Sequence, residues 1–345
     1  MKNKKRILLC RLGGIGDVIH TLPLVKYLRK KYESASIEYI TSENVAELLG
    51  KSCPYIDKVW IYDKKNKKQL ISMLSANEKK ADYFFNLHSS LTFFFFNLFY
   101  VKAKKFFQYK KDNPLHAVIN FAKTYDDSIS AFNLDSKTLF IDNSNEILSS
   151  HNLKEGRYVC FIPGVGSIRS HRGWMFENWL SLTKEFLHLE KDFKVVFLGG
   201  EHEKKIFQAW IKLRKEVNAG KDDEHFRNLP GFQNRAVNLT GSLTLSDVAK
   251  IISKASCLVS CDTGLLHLGA ALSVKVIGLY GPTLAKRSGP FTGDYVVLDA
   301  KNCQCIGNFR DIKRCKKTKE LTGFCMNSLT VEEVFSNISH GLLTA

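Results

Sequence analysis

Three short stretches of this chain gather glycines with ionisable side chains in patterns that can do chemistry. The first is Arg11-Leu12-Gly13-Gly14-Ile15-Gly16-Asp17-Val18-Ile19-His20. Its glycines permit a tight turn between a strand and a helix. Asp17 falls where that helix begins. A carboxylate there can cap the helix, or it can take a proton from an incoming hydroxyl as a general base. The second stretch is Pro163-Gly164-Val165-Gly166-Ser167-Ile168-Arg169-Ser170-His171-Arg172-Gly173-Trp174. Small residues let backbone N–H groups approach a phosphate, and Arg169 and Arg172 can neutralise a pyrophosphate. A solvated basic loop is the plainer reading. The third is Ser260-Cys261-Asp262-Thr263-Gly264-Leu265-Leu266-His267-Leu268. A polar strand end leads there into an apolar helix. The first N–H groups of a helix have no internal partners and carry partial positive charge, so a diphosphate is a natural ligand. Asp262 would repel that anion, which suits it to sugar hydroxyls or to shaping the turn. His267 lies one turn into the helix, where a packed core histidine is the alternative.

The elements that hold these stretches read as alternating short apolar runs and longer amphipathic segments, the pattern of parallel α/β sheets. Strands are expected at Arg6 to Arg11, Ile37 to Ile40, Lys58 to Tyr62, Tyr83 to Leu87 and Lys105 to Tyr109. A helix is expected from about Asp17 to Lys31. From Asp142 to Glu155 the sequence turns polar and loses periodicity, as a linker would. Beyond it, Tyr158 to Ile162, Lys194 to Leu198, Cys257 to Cys261 and Val274 to Tyr280 read as strands. Phe176, Trp179, Leu182, Phe186 and Leu189 mark one face of a helix. Thr244 with Asp247, and Thr330 with Glu333, are helix-start signatures. The expected domains are 1–150, 151–328 and a terminal helical piece, 329–345, packing back on the first domain. Two Rossmann-like units would place a ligand cleft at the C-terminal ends of their strands, where all three motifs lie.

Composition narrows the classes. A chain of 345 residues exceeds one ordinary core. The net charge of +17 favours polyanionic partners: phosphorylated substrates, anionic lipid or nucleic acid. No secretory leader is expected, since the apolar run Ile7 to Leu12 is short and ends in glycines. No run reaches the ~18 apolar residues of a membrane span. The nine cysteines are not set in a small secreted scaffold, which suggests a reducing cytosol. A nicotinamide-dependent oxidoreductase would need G-x-G-x-x-G, and the first motif reads G-G-x-G. A basic nucleic-acid or membrane-binding module explains the charge but not the third motif.

Taken together, in this order, the R-L-G-G-I-G-D-V-I-H-T-L-P stretch, the P-G loop with R-S-H-R-G-W, and D-T-G-L-L-H-L followed by L-Y-G-P-T resemble glycosyltransferase family 9. These are the ADP-heptose:lipopolysaccharide heptosyltransferases. The resemblance runs from about Lys5 to Ile338. It implies a GT-B fold, two Rossmann-like parallel-sheet domains facing a central cleft, and an inverting, metal-independent transfer of heptose from ADP-heptose to Kdo or heptose on lipid A. Asp17 matches the proposed general base, with Arg11, Gly13, Gly14, Gly16 and His20 beside it on the acceptor side. Ser167 and Ile168 match diphosphate contacts, although Ile168 lacks the family's hydroxyl, and Arg169 lies beside them. Arg172 stands where the family usually has a phosphate-binding lysine. Glu201 matches a glutamate near the ribose and Leu243 an apolar residue against adenine. Asp262, Thr263, Gly264 and His267 match the donor-binding helix start. Within the family, a protein-glycosylating (autotransporter-type) heptosyltransferase is the alternative.

The resemblance also implies a cytoplasmic enzyme, peripheral on the inner membrane of a Gram-negative bacterium, with no nucleic-acid partner. Phe93 to Phe96 and Phe99, followed by Lys102, Lys104 and Lys105, suit either a buried crossover helix or a patch resting on the anionic cytoplasmic leaflet. Cys303, Cys305, Cys315 and Cys325 supply four thiols that would suit zinc or iron, but their spacing is not that of a standard zinc ribbon and no cofactor is expected to be required.

Overall fold

The computed structural model describes residues 4–63, 66, 80–88, 90–112, 114–164, 172–205, 235–301, 303 and 324–343. The chain divides into two compact units, Met1–Asp142 with Phe291–Gly293, and Asn143–Pro290 with Asp294–Ala345. The break falls at the start of the polar stretch read as a linker. The rest of that stretch belongs to the second unit and includes a short helix, Glu146–Ser150.

The first unit is a five-stranded parallel sheet. Its strands are β1 (Arg6–Cys10), β2 (Ser36–Thr41), β3 (Lys58–Ile61), β4 (Tyr83–Asn86) and β5 (Lys105–Gln108), ordered β3-β2-β1-β4-β5. All five residues of β1 are buried, as expected of a parallel strand covered on both faces. Its one charge is matched in place. Arg6 Nε donates to Glu38 Oε1 at 2.7 Å and Nη2 to Oε2 at 3.0 Å, while Trp60 Nε1 donates to Oε2 at 2.7 Å. That network crosses β1, β2 and β3, and a one-residue slip of either pairing would strand a buried charge.

The single helix expected from Asp17 to Lys31 is two, α1 (Ile15–Ile19) and α2 (Leu22–Lys31). Thr21 sits at the break, its hydroxyl 2.6 Å from both Val18 O and the Tyr39 hydroxyl. Pro23 lies in the first turn of α2, where its missing N–H costs nothing. Helix α3 (Glu43–Ser52) follows β2. Helix α4 (Leu91–Phe96) runs into a π-helical turn, Asn97–Val101, and α5 (Ala117–Ala122) covers another face. The phenylalanine run divides between core and surface. Phe93 and Phe96 are buried with Leu8, Ile40 and Phe84, whereas Phe94, Phe95 and Phe99 are exposed.

The second unit is a six-stranded parallel sheet. Its strands are β6 (Tyr158–Ile162), β7 (Lys194–Phe197), β8 (Ala236–Asn238), β9 (Cys257–Cys261), β10 (Val276–Tyr280) and β11 (Tyr295–Asp299), ordered β11-β10-β9-β6-β7-β8. Its helices are α6 (Glu146–Ser150), α7 (Phe176–Leu189), α8 (Leu245–Ser253), α9 (Gly264–Ala271), α10 (Ala285–Ser288) and α11 (Val331–Leu343). Trp179, Leu182 and Phe186 of α7 pack on Phe161, Val195 and Ile277 of the sheet, the face expected from their spacing. Thr244 caps α8 by accepting from the Asp247 amide at 3.2 Å. The terminal helix is not a separate piece returning to the first domain. Val334 and Ile338 of α11 are buried in the second unit's core, and α11 packs on α7.

No helix among the described residues is long and apolar enough to cross a membrane.

Candidate functional site

In each sheet the chain first builds strands to one side of its opening strand and then crosses to the other. The switch falls between β1 and β4 in the first unit and between β6 and β9 in the second. In open parallel sheets, ligands sit outside the carboxyl ends of the strands at such points.

At the first switch point, Arg11 follows the end of β1 and the chain turns through Gly13, whose φ of +123° strongly favours glycine. The turn brings Asp17, in the first turn of α1, back toward the strand end. Arg11 Nη2 lies 3.0 Å from Asp17 Oδ1, and Arg11 Nη1 donates to Leu87 O, just past β4, at 2.9 Å. The arginine is largely buried, 12% exposed by its side chain, and lies over the Phe121 ring. The aspartate side chain is 54% exposed. A fixed cation thus holds a solvent-facing carboxylate at the strand edge. Gly14 is the N-cap of α1 and Gly16 is buried within it. His20, closing α1, is buried edge-on to His116, with ring centroids 5.8 Å apart. At the end of β4, Asn86 donates to Gln108 Oε1 at 2.8 Å and to Ser90 O at 3.2 Å, which pins the loop that Arg11 reaches. Nothing in the sequence marked Asn86, because its role depends on which strand neighbours β1.

At the second switch point the loop after β6 supplies Arg172 and the end of β9 supplies Asp262. Arg172 Nη1 donates to Asp262 Oδ2 at 3.0 Å. His267 Nε2, from α9, lies 3.5 Å from Asp262 Oδ1. The side chains of all three are 6–8% exposed. Burial pushes the Asp262 carboxyl up, but His267, Arg172 and the neighbouring Thr283 hydroxyl outweigh it and hold the group below the usual aspartate range. Asp262 is therefore a neutralised carboxylate, and the repulsion it would exert on a nearby anion is largely cancelled. Beside it α9 begins. Its N-cap, Thr263, turns its hydroxyl to Ser260 Oγ at 3.0 Å and makes no side-chain cap bond to the helix. The segment after Arg172 is anchored by Trp174, whose Nε1 donates to Leu329 O at 3.0 Å.

The neighbouring strand ends carry the remaining candidates. Glu201 follows β7, its side chain largely exposed and its carboxylate beside Gly241 at the end of β8. Leu243, half-buried, lies just before the cap of α8. Ser167, Ile168 and Arg169 fall outside the described residues, as do Cys305 and Cys315. Cys325 is buried in the second unit's core and Cys303 packs against it. No group of three or more metal-ligating side chains occurs among the described residues.

One further residue at this edge escaped the sequence reading. Glu203 Oε2 accepts from the Gly200 amide at 2.9 Å, and the same side chain lies flush on Gly164, where any Cβ would overlap it. Gly164→Ala should therefore displace the flexible, half-exposed Glu203 side chain and, through its lost bond to Gly200, cost the second unit about 1 kcal/mol or less. Denaturant titration checks this, and Glu203→Ala in the same chain should add little further loss.

Two parallel-sheet units, the second with a helix start suited to an anion beside a buried Arg–Asp pair, form the architecture of a GT-B glycosyltransferase. Comparison with known proteins gives the family. The sequence model of glycosyltransferase family 9 (heptosyltransferase) matches residues 104–319, more than half of the chain, and the chain belongs to that family. Lipopolysaccharide heptosyltransferase 1 of Pseudomonas aeruginosa is 24% identical over 333 residues, covering 84% of this chain and 81% of the relative. Among solved structures, E. coli ADP-heptose lps heptosyltransferase II superposes with a TM-score of 0.75 at 18% identity over 99% of both chains. E. coli heptosyltransferase WaaC with ADP gives 0.65 at 18% identity, covering 97% of this chain and 99% of that one.

Proposed function

We propose that this glycosyltransferase moves heptose from ADP-L-glycero-D-manno-heptose onto Kdo or heptose of the lipopolysaccharide inner core on lipid A, with inversion, in the cytoplasm at the inner membrane of a Gram-negative bacterium. The observation that carries the reading is the cluster of Arg172, Asp262 and His267 at the start of α9, on the second switch point. A diphosphate at that helix start would meet partial positive charge without meeting an unpaired aspartate. Glu201 and Leu243, on the β7 and β8 side of the same edge, suit the ribose and adenine of the donor. The solved relatives, an ADP-heptose lps heptosyltransferase and a heptosyltransferase with ADP, support the same donor.

The chemistry follows from the groups present. The acceptor hydroxyl attacks the anomeric carbon from the face opposite ADP. Asp17, held by Arg11, takes the hydroxyl proton. The bond from the anomeric carbon to the phosphate oxygen breaks, and its electron pair leaves with ADP. Arg172 and the α9 N-terminus stabilise that charge, so the reading calls for no metal ion.

The test is transfer from ADP-heptose to Kdo2-lipid A and to its mono-heptosylated form, followed by mass spectrometry, with donor binding measured by calorimetry. Heptosylated product is the expected result. Absence of ADP-heptose binding would overturn the donor, and donor binding with neither acceptor modified would overturn the acceptor.

A further inference from the structure

The first unit carries an apolar patch that the chemistry above does not use. Leu91, Phe94, Phe95, Leu98, Phe99 and Tyr100, on α4 and the π-helical turn after it, are each 43–72% exposed. Phe93 and Phe96 anchor the segment in the core, so the outward rings are presented on a fixed base. Phe95 and Phe99 stack with centroids 6.4 Å apart, and Phe94 meets Phe95 edge-on at 5.6 Å. The wider π turn ends at Lys102, in the left-handed region with φ of +47°, where its amide donates to Asn97 O at 2.7 Å. A contiguous exposed patch of large apolar side chains marks an interaction surface.

The charge around it selects the partner. No acidic residue occurs from Tyr83 to Lys111, a stretch that holds Lys102, Lys104, Lys105, Lys110 and Lys111. The nearest acid in sequence, Asp82, is paired with Lys104 at 2.8 Å. Residues 1–142 hold 24 lysines and arginines against 14 aspartates and glutamates, so +10 of the chain's +17 lies in this unit. A second copy pressed against the patch would bring two strongly positive surfaces together. An anionic phospholipid surface offers acyl chains to the rings and phosphates to the lysines.

We infer that this segment seats the first unit on anionic phospholipid, with Phe94, Phe95, Leu98 and Phe99 entering the headgroup boundary and Lys102 at its phosphates. The inference deepens the proposed function, whose acceptor is lipid-borne, but vesicles free of lipopolysaccharide test it separately. Full-length protein is sedimented with vesicles of phosphatidylglycerol and phosphatidylethanolamine, or of phosphatidylcholine alone, across a salt series. Binding is expected on the anionic vesicles and should weaken as salt rises. Phe95→Ser with Phe99→Ser should reduce partitioning by about tenfold or more, and Lys102→Gln by about fivefold. These positions are exposed, so thermal melting should be unchanged, and transfer to a water-soluble delipidated acceptor should persist. Wild type that stays in the supernatant, or a double variant that partitions like wild type, overturns the inference. So does a patch-dependent dimer in analytical ultracentrifugation, which would assign the surface to a second copy. Loss of transfer with vesicle binding intact would count against the proposed function and leave this surface standing.

Discussion

Replacing Asp17 with asparagine should lower kcat by about 10²–10⁴-fold, the range expected when a positioned general base, the role proposed for it, is removed, while the protein folds as before. The side chain is more than half exposed, and its pair with Arg11 is of the kind worth at most ~1 kcal/mol. Arg11 keeps its bond to Leu87 O and its place over Phe121 without the aspartate, so the strand end stays formed. Asparagine matches the shape of the carboxylate but cannot accept the proton, which separates chemistry from packing. Arg11→Met is the companion variant. It leaves the base in the chain but unheld, and misplacement of a reacting group costs up to about 10²-fold. Steady-state rates against ADP-heptose, with donor affinity measured alongside, check both. An Asp17→Asn enzyme retaining a third or more of wild-type turnover would remove Asp17 from the reaction.

The second large effect lies at Arg172. Arg172→Met leaves Asp262 buried with one of its two cationic partners gone, and breaking a buried pair in this way costs about 3–5 kcal/mol. Asp262→Asn removes the carboxylate that Arg172 and His267 meet and should also be damaging. Removing both takes away two charges that no longer need each other, so Arg172→Met with Asp262→Asn should recover most of the stability. It should not recover transfer, because the cation proposed to meet the leaving diphosphate is absent. Denaturant unfolding of the four proteins gives the coupling, and the assay gives the dissociation of stability from activity. Additive losses in the double variant would show that the pair does not hold the site together. Acid supplies an independent check. The folded Asp262 carboxyl lies below its ordinary value, so its stabilisation is complete above the ordinary aspartate range near ~3.9 and is lost as pH falls through the lower folded value. The acid limb of stability should shrink in the double variant.

The strands that the sequence revealed are those with long apolar runs. β1, β6, β9 and β10 are buried along their whole length, and their composition alone marks them. β8 and β11 were missed because they lie at the sheet edges. Ala236–Asn238 is only three residues long and partly exposed, and Tyr295–Asp299 is exposed at both ends, so neither shows a clear period. The break at Thr21 was missed because α1 and α2 continue one apolar stripe, and only the contact with Tyr39, from another strand, reveals the interruption. The motifs at the strand ends were legible as glycines and charges. Their partnership was not: Arg172 and Asp262 are 90 positions apart, and only the order of strands makes them neighbours. Asp262 looked like an obstacle to an anion until its neutralising partner was in view.

That separation also orders the assembly of the chain. β6 pairs with β9 across nearly a hundred residues, Val159 opposite Cys257, and the intervening segment builds the β7–β8 side of the sheet. During synthesis Arg172 therefore emerges long before the carboxylate that will neutralise it. The strand leading to that carboxylate must pair with β6 before α9 can dock. Contacts this distant form slowly, since loop closure must precede them. The proposed donor site is thus a late product of folding, and a nascent chain that ends before α9 has a partial second sheet but no place for a sugar nucleotide.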